Sequence, residues 1–413
     1  HEGVKETKQA FGNLFSQVDY LCKAHGIKVA DKIAIQTMRR HSNSQEPLSS
    51  EDLKYDARAL AIFISAVFGV DVPHELNVLI PHTNRPYQKG LEINNRRIRC
   101  IVKNWDSDFI RVDIDQDADE EEYLVQLKDE ENHIDHTYLW DILKEGMQLN
   151  LLDCQVKQPV ITPRLIVVEP DYQVDISSIA TCFTAFGHHP LLYLLNQMKP
   201  RANTQATLLG NFAGAALDDI INTNGKYQMN ETIKTNFREK ALEFCTCPWF
   251  DAKKFYTDAS LQAFNLQQVV DILFPRTASQ AQMSAFRGES LYDRKKAILE
   301  PSFVCEALGI QGRVDLMTTD CKLLVEQKSG RNMNIETHQV DPGYHSYQLE
   351  PHYVQLLLYY GVLQHNFKLS NDRVNIRLLY SKYQPQDGLM VVAYYQKLFK
   401  EAIEYRNQLV AAS

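Results

Sequence analysis

The sequence runs to 413 residues, 44% apolar and 23% charged, with a formal net charge of −8. That length suits two or three domains of ordinary globular composition, and the acidic total argues against a nucleic-acid footprint spread over the whole surface. No stretch reads as a transmembrane span or a signal peptide, so no membrane partner is expected and a cytoplasmic setting is the default.

Residues 1–90 read as a helical region. Lys8–Ala24 and Leu53–Phe68 place apolar residues three and four apart. The polar stretch His41–Ser50 lies between them, and Ser49-Ser50-Glu51-Asp52 is a helix-start signal. From Asp56 to Val70 the chain is apolar enough for a buried helix ending at Gly69. This region offers packing or a partner surface rather than chemistry. Pro73–Pro86 is rich in turn formers.

Residues 91–170 change to a strand pattern from Ile93 onward. The segments RRIRCIVKNW, FIRVDID and EEYLVQL alternate apolar and polar residues, with Asp106–Asp108 and Asp115–Glu122 as polar turns. A short helix at Thr137–Lys144 precedes strands at Gln148–Val156 and Arg164–Val168. Short strands with one helix suggest a small β-barrel, of which the OB type is one form. Such barrels hold single strands on aromatic and basic groups, and Trp105, Phe109, Arg97 and Arg99 are the candidates. The acidic loops beside them favour a structural role equally.

Residues 171–413 carry the chemistry. A capped helix is expected from Val174, broken near Gly187, with His188-His189-Pro190 as a turn or helix start rather than a metal pair, because adjacent side chains diverge. The stretch TQATLLGNFAGAALDDIINTN reads as a helix whose small residues Gly210, Ala213, Gly214 and Ala215 allow close packing on a sheet. Residues 231–297 read as helical, with Phe250, Phe255 and Tyr256 as core. Lys295–Cys305 reads as the first core strand, and Glu306 after it is a candidate further acid. Two strands follow, Ile310–Met317 and Cys321–Gln327, joined by a turn at Thr318, Thr319 and Asp320.

Side chains two apart on a strand share a face, so Glu326 and Lys328 project together and Gln327 points away. Pairing of the two strands brings Asp315 beside Glu326. Two carboxylates in that setting suit Mg²⁺ or Mn²⁺, which take hard oxygen ligands and activate water or a phosphoryl group. Lys328 cannot ligate the metal but can hold water or stabilise phosphate charge. Beyond Gly330 a polar stretch reads either as a flap, with Tyr344, His345 and Tyr347 able to reach a substrate, or as a disordered loop. A helix at His352–His365 places Gln355 and Tyr359 on one face. RVNIRLLYSKY is a further strand and Leu389–Leu409 a terminal helix. Arg287, Arg294, Lys295, Lys296, Arg313, Lys328, Arg331, Arg377 and Lys382 supply a local basic footprint. The eight cysteines are scattered without a C-x-x-C pair, so neither a zinc site nor a disulfide framework is expected.

Asp315, a ten-residue gap and Glu326-Gln327-Lys328 resemble the PD-(D/E)xK nuclease motif. The flanking words LGIQGRVDLM and LLVEQKSG, with Gln355-Leu356-Leu357-Leu358-Tyr359 as Q-x-x-x-Y, are similar to its RecB-type branch, found in the nuclease region of replication helicase–nucleases. The resemblance implies an α+β, restriction-endonuclease-like core sheet flanked by helices, and raises the expectation of a barrel beside it. It also implies Mg²⁺- or Mn²⁺-dependent hydrolysis of DNA, single-stranded or flapped. Asp315, Glu326 and the Gln327 carbonyl would hold the metal, Lys328 the water, and Gln355 and Tyr359 would orient the ligands or the scissile strand. The branch usually adds a helix histidine. Gly214 falls at that place, and Asp218 one turn on is the substitute. Some members carry an iron–sulfur cluster on one upstream cysteine and a downstream trio. Cys182 could be the first, but no cysteine follows Cys321, so no cluster is expected. No G-x-x-x-x-G-K-[ST] loop is present, so an ATPase would have to be a helicase domain beyond this chain, which begins on His1 like a fragment. The rival expectation is a nuclease fold that binds DNA or a partner without cutting.

Overall fold

The computed structural model describes residues 14–43, 48–84, 96–114, 123–157, 159–200, 203–340, 347–369 and 374–412, together with Val4. It is a mixed α/β structure in two compact units, residues 1–171 and 172–413. The expected helix start at Lys8, the acidic turn Asp115–Glu122, and flap residues Tyr344 and His345 lie outside the described residues. No helix among the described residues is long and apolar enough to cross a membrane.

The first unit opens with α1 (Leu14–Ala24), α2 (Val29–Asn43), α3 (Ser50–Phe68) and α4 (His74–Leu79). Val18, Cys22, Ile35 and Ala59 form their small core. Ser49 caps α3 by a reciprocal pair of bonds with Asp52, and Gly69 ends it at φ 63°. The expected burial of α3 is only partial. Ala59 and Ala61 are covered, whereas Leu60, Ile64 and Phe68 are exposed, because one apolar face packs and the other does not.

The strands that follow are β1 (Arg97–Trp105), β2 (Phe109–Ile114), β3 (Tyr123–Gln126), β4 (Lys128–Asp129), β5 (Ile134–Asp135), β6 (Gln148–Leu152), β7 (Gln155–Lys157), β8 (Val160–Thr162) and β9 (Leu165–Val168). Seven of them form one sheet in the order β7-β8-β3-β2-β1-β6-β9. The expected barrel is therefore corrected: among the described residues no ladder closes β7 onto β9. The single strand expected over Gln148–Val156 is also two. Asp153, at φ 50°, turns the chain out, so β6 pairs with β1 and β9 while β7 pairs with β8 at the far edge. Trp105 packs against the sheet core, and Arg99 is held by Asp171 at 2.5 Å and Gln148 at 2.6 Å.

In the second unit β10 (Val174–Asp175), α5 (Ile176–Ala180), β11 (Phe183–Thr184), β12 (Gly187–His188) and α6 (Leu191–Met198) replace the long helix expected from Val174. There follow α7 (Gln205–Asn222), α8 (Met229–Glu239), α9 (Ala241–Cys245), α10 (Ala252–Leu273) and α11 (Ala278–Phe286). Phe255 is core, but Tyr256 is half exposed. Next come β13 (Ala297–Leu299), β14 (Ser302–Cys305), β15 (Ile310–Arg313), β16 (Leu316–Thr318), β17 (Leu323–Lys328), α12 (Met333–Thr337) and α13 (Glu350–Phe367). The unit ends with β18 (Asn375–Tyr380), α14 (Pro385–Gly388), β19 (Leu389–Val391) and α15 (Gln396–Ala411). The terminal helix expected from Leu389 thus starts later. Leu389–Val391 extends and pairs with β18 instead, through Val391↔Arg377, Met390↔Leu378 and Leu389↔Leu379.

A five-stranded sheet, β13-β16-β17-β18-β19, forms the centre. Leu316, Leu323, Val325 and Leu379 bury one face against Leu208, Phe212, Ala216 and Leu217 of α7 and Ala259, Leu266 and Val270 of α10. Strand alternation sends Leu324, Glu326 and Lys328 to the other face, where α13 packs. A second sheet, β10-β15-β14, lies beside it.

Candidate metal centre

The expected straight strands Lys295–Cys305 and Ile310–Met317 are both broken, at matching points. They form one bent ribbon. Its tip, from Cys305↔Ile310 to Ser302↔Arg313, belongs to the smaller sheet, and its base, from Leu299↔Leu316 to Ala297↔Thr318, to the larger. At the bend Glu300 sits at φ 48°, and Pro301 has no N–H to give a ladder. Glu300 N–H donates to the Asp315 carbonyl at 3.0 Å, and Val314 N–H to the Pro301 carbonyl at 3.2 Å.

Asp315 follows that bend, outside both ladders. Continuing the register Leu316↔Val325 sets it opposite Glu326. Gln327 N–H donates to Asp315 Oδ2 at 2.6 Å, so the residue after one acid holds the carboxylate of the other. In an extended strand a residue's N–H and C=O share an edge, so the Gln327 carbonyl faces the same side as Asp315. Its side chain lies on the far face. Gln327 Nε2 donates to Ser381 Oγ at 2.8 Å, Ser381 Oγ to Gln262 Oε1 at 2.7 Å, and Gln262 Nε2 to the Ser329 carbonyl at 3.1 Å. This buried chain clamps the end of β17 from behind.

Lys328 Nζ donates to Glu326 Oε1 at 2.7 Å and to Gln355 Oε1 at 2.9 Å. Among the described residues Glu326 Oε2 is buried without a partner. Tyr359, one turn from Gln355, donates its hydroxyl to the Arg313 carbonyl at 2.6 Å and so ties α13 to β15. Gly312 makes room for that ring: a Cβ there would lie 2.9 Å from Tyr359 Cε1. The structure therefore brings Asp315, Glu326, Gln327, Lys328, Gln355 and Tyr359 together.

Asp218 acts on this group through charge. Burial, then Glu300 and Asp315, push its carboxyl up to about 7. A Cβ on Gly214, one turn earlier, would meet nothing within 4 Å, so the helix leaves open space at that position. Burial followed by the Asp315 charge pushes Glu326 up to about 7 against the pull of Lys328. Burial raises Asp315 as well, against the Gln327 N–H.

The additional acid is Glu300, not Glu306. Glu300 pairs with Arg313 at 3.1 Å, whereas Glu306 lies in the turn at the opposite end of the β14–β15 hairpin. Its signal was the proline after it inside a strand pattern. Gln262 and Ser381 gave none, since two distant polar residues announce no pairing.

Among the described residues no three His, Cys, Asp or Glu side chains gather into a ready-made metal cage. A hard cation such as Mg²⁺ needs fewer protein ligands, since it keeps several waters and binds through one or two carboxylates. Asp315, the orphaned Glu326 Oε2 and the Gln327 carbonyl form an all-oxygen set of that kind. Two crowded carboxyls with raised proton affinity are what a divalent cation would relieve.

Elsewhere, His188 bridges Glu350 and Glu401, each at 2.8 Å, and His189 Nδ1 accepts the Leu191 N–H at 3.1 Å. The pair thus serves a turn and a helix start. Of the basic footprint, Arg377 is buried against Glu289 and Arg294 is spent on the carbonyls of Ile220 and Ile221. Arg313 and Arg331 remain exposed. Tyr347, the described member of the flap, packs edge-on to His338. No protein-family model and no curated protein matches the chain.

Proposed function

We propose that the chain is a divalent-metal-dependent nuclease with a RecB-type PD-(D/E)xK core, acting on single-stranded or flapped DNA as the nuclease part of a larger helicase–nuclease. The observation that carries this reading is the joint placement of Asp315, Glu326 and Lys328 on the exposed-end side of β17, with Glu326 Oε2 unclaimed among the described residues. Asp315, Glu326 and the Gln327 carbonyl hold Mg²⁺ or Mn²⁺, with Asp218 contributing negative charge beside them. The cation supplies Lewis-acid polarisation of the phosphate and an acidified water. Lys328, held by Gln355, orients the attacking water and offsets the charge that grows on the phosphate. Tyr359 keeps α13, and with it Gln355, at a fixed distance from the ribbon.

Labelled single-stranded DNA, flap DNA and RNA, each with Mg²⁺, Mn²⁺ or a chelator, test the reading. Metal-dependent DNA cleavage is expected, and Asp315→Ala or Lys328→Ala should lower its rate by about 1,000-fold. Cleavage by either variant at the wild-type rate defeats the assignment. Tight DNA binding without cleavage of any substrate by the wild type favours a binding module instead.

A further inference from the structure

On the back of the central sheet, Leu323 and Val325 of β17 and Leu379 of β18 join the apolar core with Ala259, Ala263 and Leu266 of α10. At the next back-facing position of each strand the pattern turns polar, to Gln327 and Ser381, and Gln262 of α10 meets them; all three are buried. They form one directed chain. Gln262 Nε2 reaches the Ser329 carbonyl, which can only accept, so Gln262 Oε1 is the atom facing Ser381. Ser381 turns its single proton to that oxygen at 2.7 Å, with the Lys328 carbonyl further off at 3.3 Å, and accepts from Gln327 Nε2 at 2.8 Å. The backbone of Ser381 is gripped as well. Its N–H donates to the Lys328 carbonyl at 2.9 Å, and Asn265, three positions along α10 from Gln262, donates to its carbonyl at 3.0 Å. The chain sits where the ladder gives out. Pairing of β16 with β17 stops at Leu316↔Val325, while β18 accompanies β17 out to Lys328↔Tyr380. A strand end laddered on one edge can roll about its own axis, and that roll carries the Gln327 carbonyl, Glu326 and Lys328 together.

Resting on the nuclease reading, we propose that Gln262 and Ser381 are positioning residues of the metal centre: from the opposite face of the sheet they fix the roll of β17, so that the Gln327 carbonyl and the Glu326 carboxylate are presented to one cation. Apolar side chains would fill the same space and continue the core around them. Hydrogen bonds of fixed direction do what apolar contact cannot, which is to specify one orientation of the strand end. The effect reaches the cation through Gln327, whose side chain is tied behind the sheet while its carbonyl faces Asp315.

Two substitutions of nearly equal length cut the chain at different points. Gln262→Met removes its inner end, on the face away from the acids. Gln327→Met removes its outer end and keeps the backbone carbonyl; it serves the same test where Gln262→Met does not fold. Mn²⁺ binding by the full chain is measured by titration calorimetry, beside metal-free thermal melts that report folding. Each variant should bind Mn²⁺ about tenfold more weakly than wild type. The double variant should bind no more weakly than the weaker single one, because both changes break one chain. A purely structural role would lower the melting temperature and leave the affinity of the folded protein unmoved. Folded variants that bind Mn²⁺ as tightly as a wild type that binds it, or losses that simply add in the double variant, overturn this inference alone. A folded wild-type chain that takes up no Mn²⁺ overturns the nuclease reading and this inference with it.

Discussion

Glu326 concentrates the electrostatic tension of the site in one side chain. One oxygen is satisfied by Lys328, the other by nothing among the described residues, and burial beside Asp315 lifts the carboxyl from an ordinary 4.5 to about 7. A raised folded value means that Glu326 favours the fold most below its unfolded value and loses that contribution as pH rises through about 7. A bound cation would reverse the loss by taking the place of the proton. Glu326→Gln should therefore melt like wild type near pH 5 without metal, and above it at pH 8, by on the order of 3 kcal/mol at full ionisation. Added Mn²⁺ should stabilise wild type and leave the variant unmoved. Equal melting of the two metal-free proteins at pH 8 would show that the carboxylate is not under strain.

Among the elements, the bent ribbon and α13 are held together at one narrow contact. Gly312 lies against the Tyr359 ring on one side and within 3.3 Å of Ile176 Cβ on the other, measured from a Cβ built there. Gly312→Ala should force the ring off the Arg313 carbonyl, costing about 1–3 kcal/mol by overpacking and slowing cleavage through Gln355. Urea denaturation and single-turnover rates check both effects, and an alanine variant unchanged in each would show that the ring can move freely. The elements also mark what the sequence reveals. Alternation placed Glu326 and Lys328 on one face and Gln327 on the other, and helical spacing aligned Gln355 with Tyr359, because both are local rules. The breaks at Glu300–Pro301 and Val314–Asp315 arise where one ribbon serves two sheets, and periodicity carries no word of that. Phe183–Thr184 of the β11–β12 hairpin was read as helix, up to the break expected near Gly187, because its flanks are helical in pattern, and β19 as helix because its pairing with β18 is non-local. The open seven-stranded sheet differs from a barrel only in whether its edge strands meet, which no strand's own pattern records.

For the whole molecule, each unit has its own apolar core, and the second is tied from its first residues to its last. Arg406 of α15, fully buried, donates to the carbonyls of Tyr172 and Gly309, at 2.5 and 3.0 Å. His188 reaches Glu401 across the same stretch of chain. Every residue of the candidate metal centre lies within this unit. Residues 172–413 produced alone should therefore unfold in one cooperative transition and bind Mn²⁺, as calorimetry and titration can measure. A fragment that melts without cooperativity would show that the first unit is needed to complete the second.

The shared ribbon makes the distance between the two acids a mechanical quantity. Glu326 rides on the central sheet, while Asp315 occupies the elbow between that sheet and its smaller neighbour. Any change in how Cys305 or Ile310 settles in the smaller sheet would be levered through the elbow to the carboxylates, as a jaw is worked from its handle. Variation remote from the reacting groups could thus tune metal grip without touching a ligand.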